Sequence, residues 1–127
     1  MKAIRVAGIG VGGVFHAHLR GYKTLSDLFS LVAVCDINKG AAQRIAEENK
    51  IQRVYTSVEA LLKDGDIDAV DICLPHDLHA PVAIAAAESG CHVLVEKPMA
   101  LSLEEIDGMI ETAQANHVKL MCAFCER

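Results

Sequence analysis

The chain has 127 residues, which fits one domain large enough to bury roughly two-thirds of its unfolded surface. Hydrophobic residues make up 52% and charged residues 23%, a composition typical of a globular α/β domain and not of a disordered chain. A net charge of −5 with scattered basic residues argues against nucleic acid as a partner. No apolar run approaches the about 18 residues of a membrane span, and no signal-peptide pattern is present, so we expect a cytoplasmic protein that binds no membrane.

The first elements form a compact pattern. An apolar strand over residues 4–8 leads into a glycine-rich turn, GIGVGG at residues 8–13, and a helix is predicted over residues 11–25. A second apolar strand, residues 31–35, ends at Asp36. Asp36 follows the last glycine at about the 20-residue distance of the carboxylate that holds an adenosine ribose. This context, and not the glycines alone, predicts a dinucleotide site.

Each glycine of the turn has an expected purpose. Gly8 allows the tight strand-to-helix turn, Gly10 lets the backbone approach a pyrophosphate, and Gly13 permits close packing of the helix on the strand. The phosphate is expected on the free N–H groups and positive dipole end of the helix that opens near Val11. A side chain at Gly10 should therefore block nucleotide binding without unfolding the domain.

Strands and helices alternate over the rest of the chain. The predicted elements are a helix capped by Asn38 that ends near Asn49, a strand at 54–55, a helix capped by Ser57 that ends near Leu62, a strand at 69–74, a helix from His79 to a stop at Gly90, a strand at 92–95, a helix from the capping box of Ser102 and Glu105 to about Asn116, and a strand at 119–124. This order predicts a Rossmann-type, doubly wound parallel sheet of about six strands between two helical layers, as one domain over residues 1–127.

Ligands of such sheets lie beyond the carboxyl ends of the strands. Three clusters fall there, at residues 8–13, 74–79 and 96–98. The sequence resembles the glucose-fructose oxidoreductase, inositol dehydrogenase and MocA family over essentially its whole length. The resemblance rests on the glycine turn with His16-Ala17 after it, on Pro75 with His79-Ala80-Pro81, and on Gly90-Cys91-His92-Val93-Leu94-Val95-Glu96-Lys97-Pro98-Met99-Ala100.

The resemblance implies a catalytic role for Lys97, which would reach the nicotinamide ribose and the substrate hydroxyl. Glu96 would orient Lys97, and Pro98 would fix the turn that aims both. Physical reasoning agrees, because oxidation of an alcohol by hydride transfer needs a partner for the hydroxyl proton and a positive charge near the developing alkoxide. The alternative for Glu96 and Lys97 is a solvated ion pair in a surface turn.

The resemblance also implies a set of cofactor contacts. The predicted cofactor site comprises Gly8, Gly10, Val11, Gly12, Gly13, Asp36, Leu74, Pro75, His79, Glu96, Lys97 and Pro98. Leu74 stands where the family often has threonine or serine, so a hydroxyl contact to the cofactor is expected to be absent there. The resemblance gives no support to His76, which stands where the family often has asparagine. His16 is interpreted as structural packing near the pyrophosphate.

NAD is the expected cofactor and NADP the less favoured one. Asp36 would hydrogen-bond the ribose hydroxyls and repel a 2′-phosphate, and no arginine follows it. Lys39 is the only nearby cation, and its flexible ammonium tempers the preference.

The five cysteines, an odd number, predict reduced thiols and not a disulfide framework. Cys122 and Cys125 form a CxxC, but residues three apart in a strand point to opposite faces, and no second pair supplies further ligands. We therefore expect no metal site.

Members of the family carry a second α/β domain that supplies most of the sugar pocket, and this chain ends before it. The sequence leaves two functions open: the cofactor half of a nicotinamide-dependent sugar or polyol dehydrogenase, or a free-standing dinucleotide-binding module without catalysis. A methyltransferase that binds S-adenosylmethionine would use a similar turn but has no use for Lys97 and Pro98. For the full-length protein, the resemblance implies a homo-oligomer.

Overall fold

A computed structural model describes residues 2–123. In chain order these residues form β1 (Ile4–Ile9), α1 (Gly13–Thr24), β2 (Phe29–Cys35), α2 (Lys39–Asn49), β3 (Arg53–Tyr55), α3 (Val58–Asp64), β4 (Ala69–Ile72), α4 (His79–Glu88), β5 (His92–Glu96), α5 (Leu103–Ala115) and β6 (Leu120–Ala123). A short 3-10 turn over His76–Leu78 precedes α4.

The strands form one parallel sheet in the order β3-β2-β1-β4-β5-β6. The doubly wound parallel sheet that the sequence predicted is confirmed, and this strand order is typical of it. The chain reverses its direction of travel across the sheet between β1 and β4, so a crevice opens at the carboxyl ends of these two strands. The glycine turn lies at this point.

Helices cover the two faces of the sheet unequally. On one face, α1 and α2 bury Phe15 and Ile45 against β2. On the other face, α3, α4 and α5 bury Leu61, Ala83 and Met109 against the central strands. The three-layer arrangement that the sequence predicted is confirmed, and it leaves the strand ends accessible at the carboxyl edge.

Side-chain caps explain where three helices begin. Asn38, Ser57 and Ser102 each accept a hydrogen bond from a backbone N–H in the first turn of α2, α3 and α5, at 3.1 to 3.2 Å. Helix α1 differs, because Gly12 is its N-cap and offers no side chain. Its first N–H groups are therefore left for a different acceptor.

Several element boundaries differ from the sequence prediction. Strand β2 begins at Phe29, two residues early, because Ile4 of β1 pairs with Phe29. Strand β4 ends at Ile72 and not at residue 74. Helix α1 begins at Gly13 and not at Val11, whose N–H turns to the carboxylate of Asp36. The predicted end of the last strand, Phe124, lies outside the described residues.

Among residues 2–123, no helix combines the length and the apolar character needed to cross a membrane.

Candidate cofactor site at the carboxyl edge of the sheet

The glycine turn is held between the ends of β2 and β4. The Gly10 N–H donates to the carbonyl oxygen of Cys35 at 2.8 Å, and the Cys73 N–H donates to that of Ile9 at 2.8 Å. Gly10 has a φ of +86°, and a Cβ atom there would lie 2.5 Å from the Cys73 carbonyl oxygen. Position 10 therefore needs a glycine because the backbone just after β4 leaves no room for a side chain, and a pyrophosphate at the turn would need the same free space. A side chain there would disturb the fold itself.

The close packing of helix on strand depends on Gly8 and not on Gly13, which corrects the roles expected from the sequence. A Cβ atom at Gly8 would lie 2.4 Å from Cζ of Phe15, a ring of α1 that is fully buried. Added Cβ atoms at Gly12 and Gly13 would meet nothing within 4 Å. These two glycines border open space at the start of α1, where a ligand can approach the backbone.

The start of α1 has the features of an anion site. No side chain caps it, and its first turn contains no acidic residue. The positive end of the helix dipole and the unsatisfied N–H groups therefore face the open side of the turn. Together with the exposed Gly12 and Gly13, they leave room for a pyrophosphate.

Asp36 fastens the glycine turn to the end of β2. Its Oδ2 accepts a hydrogen bond from the Val11 N–H at 3.0 Å, and its Oδ1 accepts one from the Asn38 N–H at 2.9 Å. The carboxylate is half-buried beside the turn. Each oxygen retains capacity for a further donor, so the ribose contact expected from the sequence is compatible with this geometry.

The residues directly after β4 differ in their exposure to solvent. Leu74 is half-buried, and its side chain lies against the glycine turn, with Cδ2 3.1 Å from the position of a Cβ atom at Gly10. Pro75 and His76 are exposed.

His79 is the predicted cofactor residue whose position departs most from expectation, because its side chain is 0% exposed. Its Nδ1 lies 2.7 Å from the Pro98 carbonyl oxygen, and its Nε2 lies 2.8 Å from that of Leu74. Both ring nitrogens are thus directed at backbone acceptors. The expectation of a direct cofactor contact is corrected: His79 links the loop after β4 to the turn after β5, and it can act only by positioning them.

Glu96, Lys97 and Pro98 lie at the carboxyl end of β5. Glu96 is the last residue of β5, Lys97 is half-buried just beyond the strand, and the Lys97–Pro98 peptide bond is cis. Oε2 of Glu96 lies 2.8 Å from Nε2 of His18 on α1. Glu96 is therefore held toward α1, while Lys97 lies at the carboxyl edge that also carries the glycine turn.

Residues 4–124 match the GFO_IDH_MocA family, an oxidoreductase family with an NAD-binding Rossmann fold. The chain belongs to this family. Its relatives include myo-inositol 2-dehydrogenase of Thermotoga maritima, 30% identical over 98% of this chain and 37% of that protein. UDP-N-acetylglucosamine 3-dehydrogenase of Acidithiobacillus ferrooxidans is 37% identical over 100% of this chain and 39% of that protein.

A solved structure of the WlbA dehydrogenase from Bordetella pertussis, in complex with NADH and UDP-GlcNAcA, has a TM-score of 0.92 and 30% identity over 96% of this chain and 37% of that chain. The fold of this chain is thus the NAD-binding Rossmann domain of the family, and the chain spans between one third and two fifths of the length of these relatives.

This Rossmann domain also contains a buried polar cluster that the sequence analysis missed. Nδ1 of His18 lies 2.7 Å from Oδ2 of Asp71, which is 0% exposed, and the Tyr22 hydroxyl donates to the same oxygen at 2.7 Å. The hydrogen bond to Asp71 raises the pKa of His18 despite its partial burial, and burial raises the pKa of Tyr22. The imidazole thus lies between the carboxylates of Asp71 and Glu96.

The structure also corrects the interpretation of His16 and draws attention to His18 on the same helix. His16, expected to pack near the pyrophosphate, is exposed. His18 is the inward-facing residue, because it lies three residues after the buried Phe15 and next to the buried Leu19. Helical spacing from these two apolar residues could have identified it.

The cysteines at positions 35, 73, 91 and 122 are free thiols. Burial raises the pKa of Cys35 to about 11 and also raises that of Cys73. Their reactivity as thiolates is correspondingly low. Cys125, the second residue of the predicted CxxC pair, lies outside the described residues.

Proposed function

We propose that this chain is the cofactor-binding part of an NAD-dependent dehydrogenase that oxidises a hydroxyl group of a sugar, a polyol or a related compound. One observation carries the proposal. The glycine turn is pinned between the ends of β2 and β4, and it opens onto the uncapped start of α1 at the crevice of the sheet. That is where a doubly wound sheet binds a dinucleotide. NAD, when bound, supplies the hydride acceptor.

We propose Lys97 as the catalytic residue of this domain. Its position directly after β5, on the same edge as the glycine turn, supports this role. An ammonium there can stabilise a developing alkoxide and take part in transfer of the hydroxyl proton. Its neighbours hold the strand end in place, since His18 contacts Glu96 and His79 contacts the carbonyl of Pro98. Glu96 and Pro98 thereby serve to aim Lys97.

A preference for NAD over NADP follows from Asp36. The two backbone hydrogen bonds fix its carboxylate beside the turn, where it would accept from ribose hydroxyls and repel a 2′-phosphate. We expect Asp36→Ala to lose about 1.5–3 kcal/mol of NADH binding free energy, measured by calorimetric titration. Asp27→Ala is a matched control, because Asp27 is exposed in the loop before β2, at the opposite edge of the sheet.

Titration of the unmodified chain with NADH, NADPH and S-adenosylmethionine tests the ligand class. We expect NADH to bind most tightly. Tighter binding of NADPH would contradict the role of Asp36, and binding of S-adenosylmethionine alone would contradict the proposed function.

We expect this chain to bind NADH without oxidising sugars by itself. Hydride transfer needs a substrate carbon held about 3–3.5 Å from the nicotinamide, and such positioning can contribute roughly 7–11 kcal/mol. The second domain of the family would provide it. The test is a screen of inositols, hexoses and nucleotide sugars with NAD, beside a longer protein that contains this domain. Robust NADH production by the 127-residue chain would overturn this part of the proposal, and binding without turnover by the longer protein would favour the non-catalytic module.

We also propose a cytoplasmic location and a homo-oligomeric full-length protein. The free, partly or fully buried thiols support a reducing compartment. Met121, which is 66% exposed on β6, supports self-association of the isolated chain. Cell fractionation and light scattering of the purified protein test these two expectations.

A further inference from the structure

Three potential metal ligands come together beside α1, although they are far apart in the sequence. His18 comes from α1, Cys73 follows β4, and Glu96 ends β5. One ligand atom of each, a ring nitrogen, the sulfur and a carboxylate oxygen, lies within 4.8 Å of the other two. We propose that these three residues form a binding site for a divalent transition metal of the zinc type.

The distances suit a small tetrahedral ion. Nε2 of His18 lies 2.8 Å from Oε2 of Glu96, and the three ligand atoms all lie within 4.8 Å of one another. Sγ of Cys73 is also 3.7 Å from Nδ1, on the other edge of the same imidazole. With metal bonds of about 2.0–2.3 Å, neighbouring ligand atoms of a tetrahedral zinc site are separated by roughly 3.3–3.6 Å. Side-chain rotations that change these separations by about 1 to 1.5 Å would therefore create the site.

A second carboxylate already holds the imidazole as metal sites require. Oδ2 of Asp71 lies 2.7 Å from Nδ1 of His18, and the Tyr22 hydroxyl fixes the same oxygen at 2.7 Å. In metal centres, the nitrogen that does not bind the ion typically donates to such a carboxylate. Nε2, which faces Glu96, is thus the nitrogen directed toward the metal.

Charge also favours a cation at this place. The side chains of Asp71 and Glu96 are 0% and 12% exposed, and each contacts the imidazole of His18, so a positive charge between them offsets part of the cost of their burial. Now the imidazole of His18 serves this purpose by hydrogen bonding. On metal binding, bonds form from the ion to Nε2, to Sγ and to the Glu96 carboxylate, while protons leave Cys73 and Nε2 for water. No oxidation or reduction is involved.

The ligand types define the class of ion. Imidazole, thiolate and carboxylate together suit zinc, cobalt or nickel, whereas calcium and magnesium prefer oxygen ligands alone. The imidazole of His18 can be reached from a shallow depression that it lines with Tyr22, Leu94 and Ala123. The proposal does not rest on nucleotide binding, although the metal site shares Glu96 with the predicted cofactor site. It departs from the sequence-based expectation of no metal, which considered only ligands spaced closely along the chain.

Titration of the metal-free 127-residue chain with Co²⁺ and with Zn²⁺ tests the site. We expect one equivalent of Co²⁺ to bind, with an absorption band of thiolate-to-cobalt charge transfer, and Zn²⁺ to displace it in calorimetry. Cys73→Ser should weaken binding more than about 100-fold and abolish the band, since loss of even an outer-shell partner typically costs 10–100-fold. Cys122→Ser is the matched control and should retain both, which separates this site from the CxxC pair.

His18→Gln provides a second test if Cys73→Ser fails to fold by circular dichroism, because it removes a ligand on α1 and leaves the segment after β4 unchanged. It should weaken Co²⁺ binding to a similar extent. Absence of binding by the unmodified chain, or equal binding by Cys73→Ser or His18→Gln, would overturn the proposal and leave His18 as a hydrogen-bonded bridge only. Loss of the band in Cys122→Ser would assign the metal to the CxxC pair instead.

Discussion

The two halves of the carboxyl edge are held together in different ways. At the ends of β1 and β2, backbone contacts hold the structure together. The Gly10 N–H donates to the Cys35 carbonyl oxygen, and Gly10 can lie this close to the backbone after β4 only because it has no side chain. At the ends of β4 and β5, buried side chains form the links, with His79 between two loops and His18 between two carboxylates. We call these the glycine-turn region and the histidine region.

This difference determines which substitutions each region tolerates. The glycine-turn region excludes side-chain volume, so its sensitive positions are glycines. The histidine region requires a ring with nitrogens on opposite edges, because both His79 and His18 contact an acceptor on each edge. Volume-conserving replacement should therefore fail in the histidine region for lack of hydrogen bonds, and addition of volume should fail in the glycine-turn region through steric overlap.

Gly10→Val is the change expected to break the glycine-turn region most severely. The positive φ and the 2.5 Å approach of a Cβ atom to the Cys73 carbonyl oxygen act together. Backbone strain and overpacking should cost about 3–6 kcal/mol of unfolding free energy, a large share of the about 5–15 kcal/mol of a typical domain. Urea denaturation followed by circular dichroism measures this. The structure thus replaces the expectation that the fold would survive.

Gly13→Ala is the control for this substitution, because its Cβ atom would meet open space. Its stability without nucleotide should remain within about 1 kcal/mol of the unmodified chain. If Gly10→Val unfolds at the same urea concentration as Gly13→Ala, the backbone contact with β4 contributes little, and the contrast between the two regions fails.

His79→Phe is the corresponding test of the histidine region. Phenylalanine keeps a ring in the buried space but removes the two ring nitrogens that contact the carbonyl oxygens of Leu74 and Pro98. Since an unsatisfied buried acceptor costs about 1–3 kcal/mol, we expect a loss of about 2–4 kcal/mol in unfolding free energy. His76→Phe, at an exposed position, should change it by less than about 0.5 kcal/mol. Equal stability of the two variants would mean that His79 does not link the loops.

The contrast also explains what the sequence could predict. The glycine turn and Asp36 belong to one strand-helix-strand unit, so their spacing along the chain carries the information. The alternation of strands and helices likewise predicted a doubly wound parallel sheet. The sequence assigned the close packing of helix on strand to Gly13, whereas the structure assigns it to Gly8. The contact at Gly8 depends on the ring of Phe15, which no glycine pattern specifies.

The histidine region was not predictable in the same way. His18 contacts residues 53 and 78 positions away, and the environment of His79 depends on a turn 19 positions later. Such contacts follow from the finished sheet, since parallel neighbours in it are separated by whole helices. The motif that contains His16 and His79 identified the family correctly but assigned both side chains to the wrong surroundings.

Asp36→Ala, studied without nucleotide, should have the smallest of the expected effects on unfolding free energy. It tests whether side chains contribute less to the glycine-turn region than to the histidine region. It removes the side chain that joins the Val11 N–H of the glycine turn to the Asn38 N–H at the start of α2. Because Asp36 is only half-buried, water can replace the lost acceptor, and we expect a loss of about 1 kcal/mol in unfolding free energy, well below that of His79→Phe. Asp36→Asn retains an acceptor oxygen and should recover part of this loss. A loss in Asp36→Ala as large as that in His79→Phe would show that side chains, and not the backbone, hold both regions together.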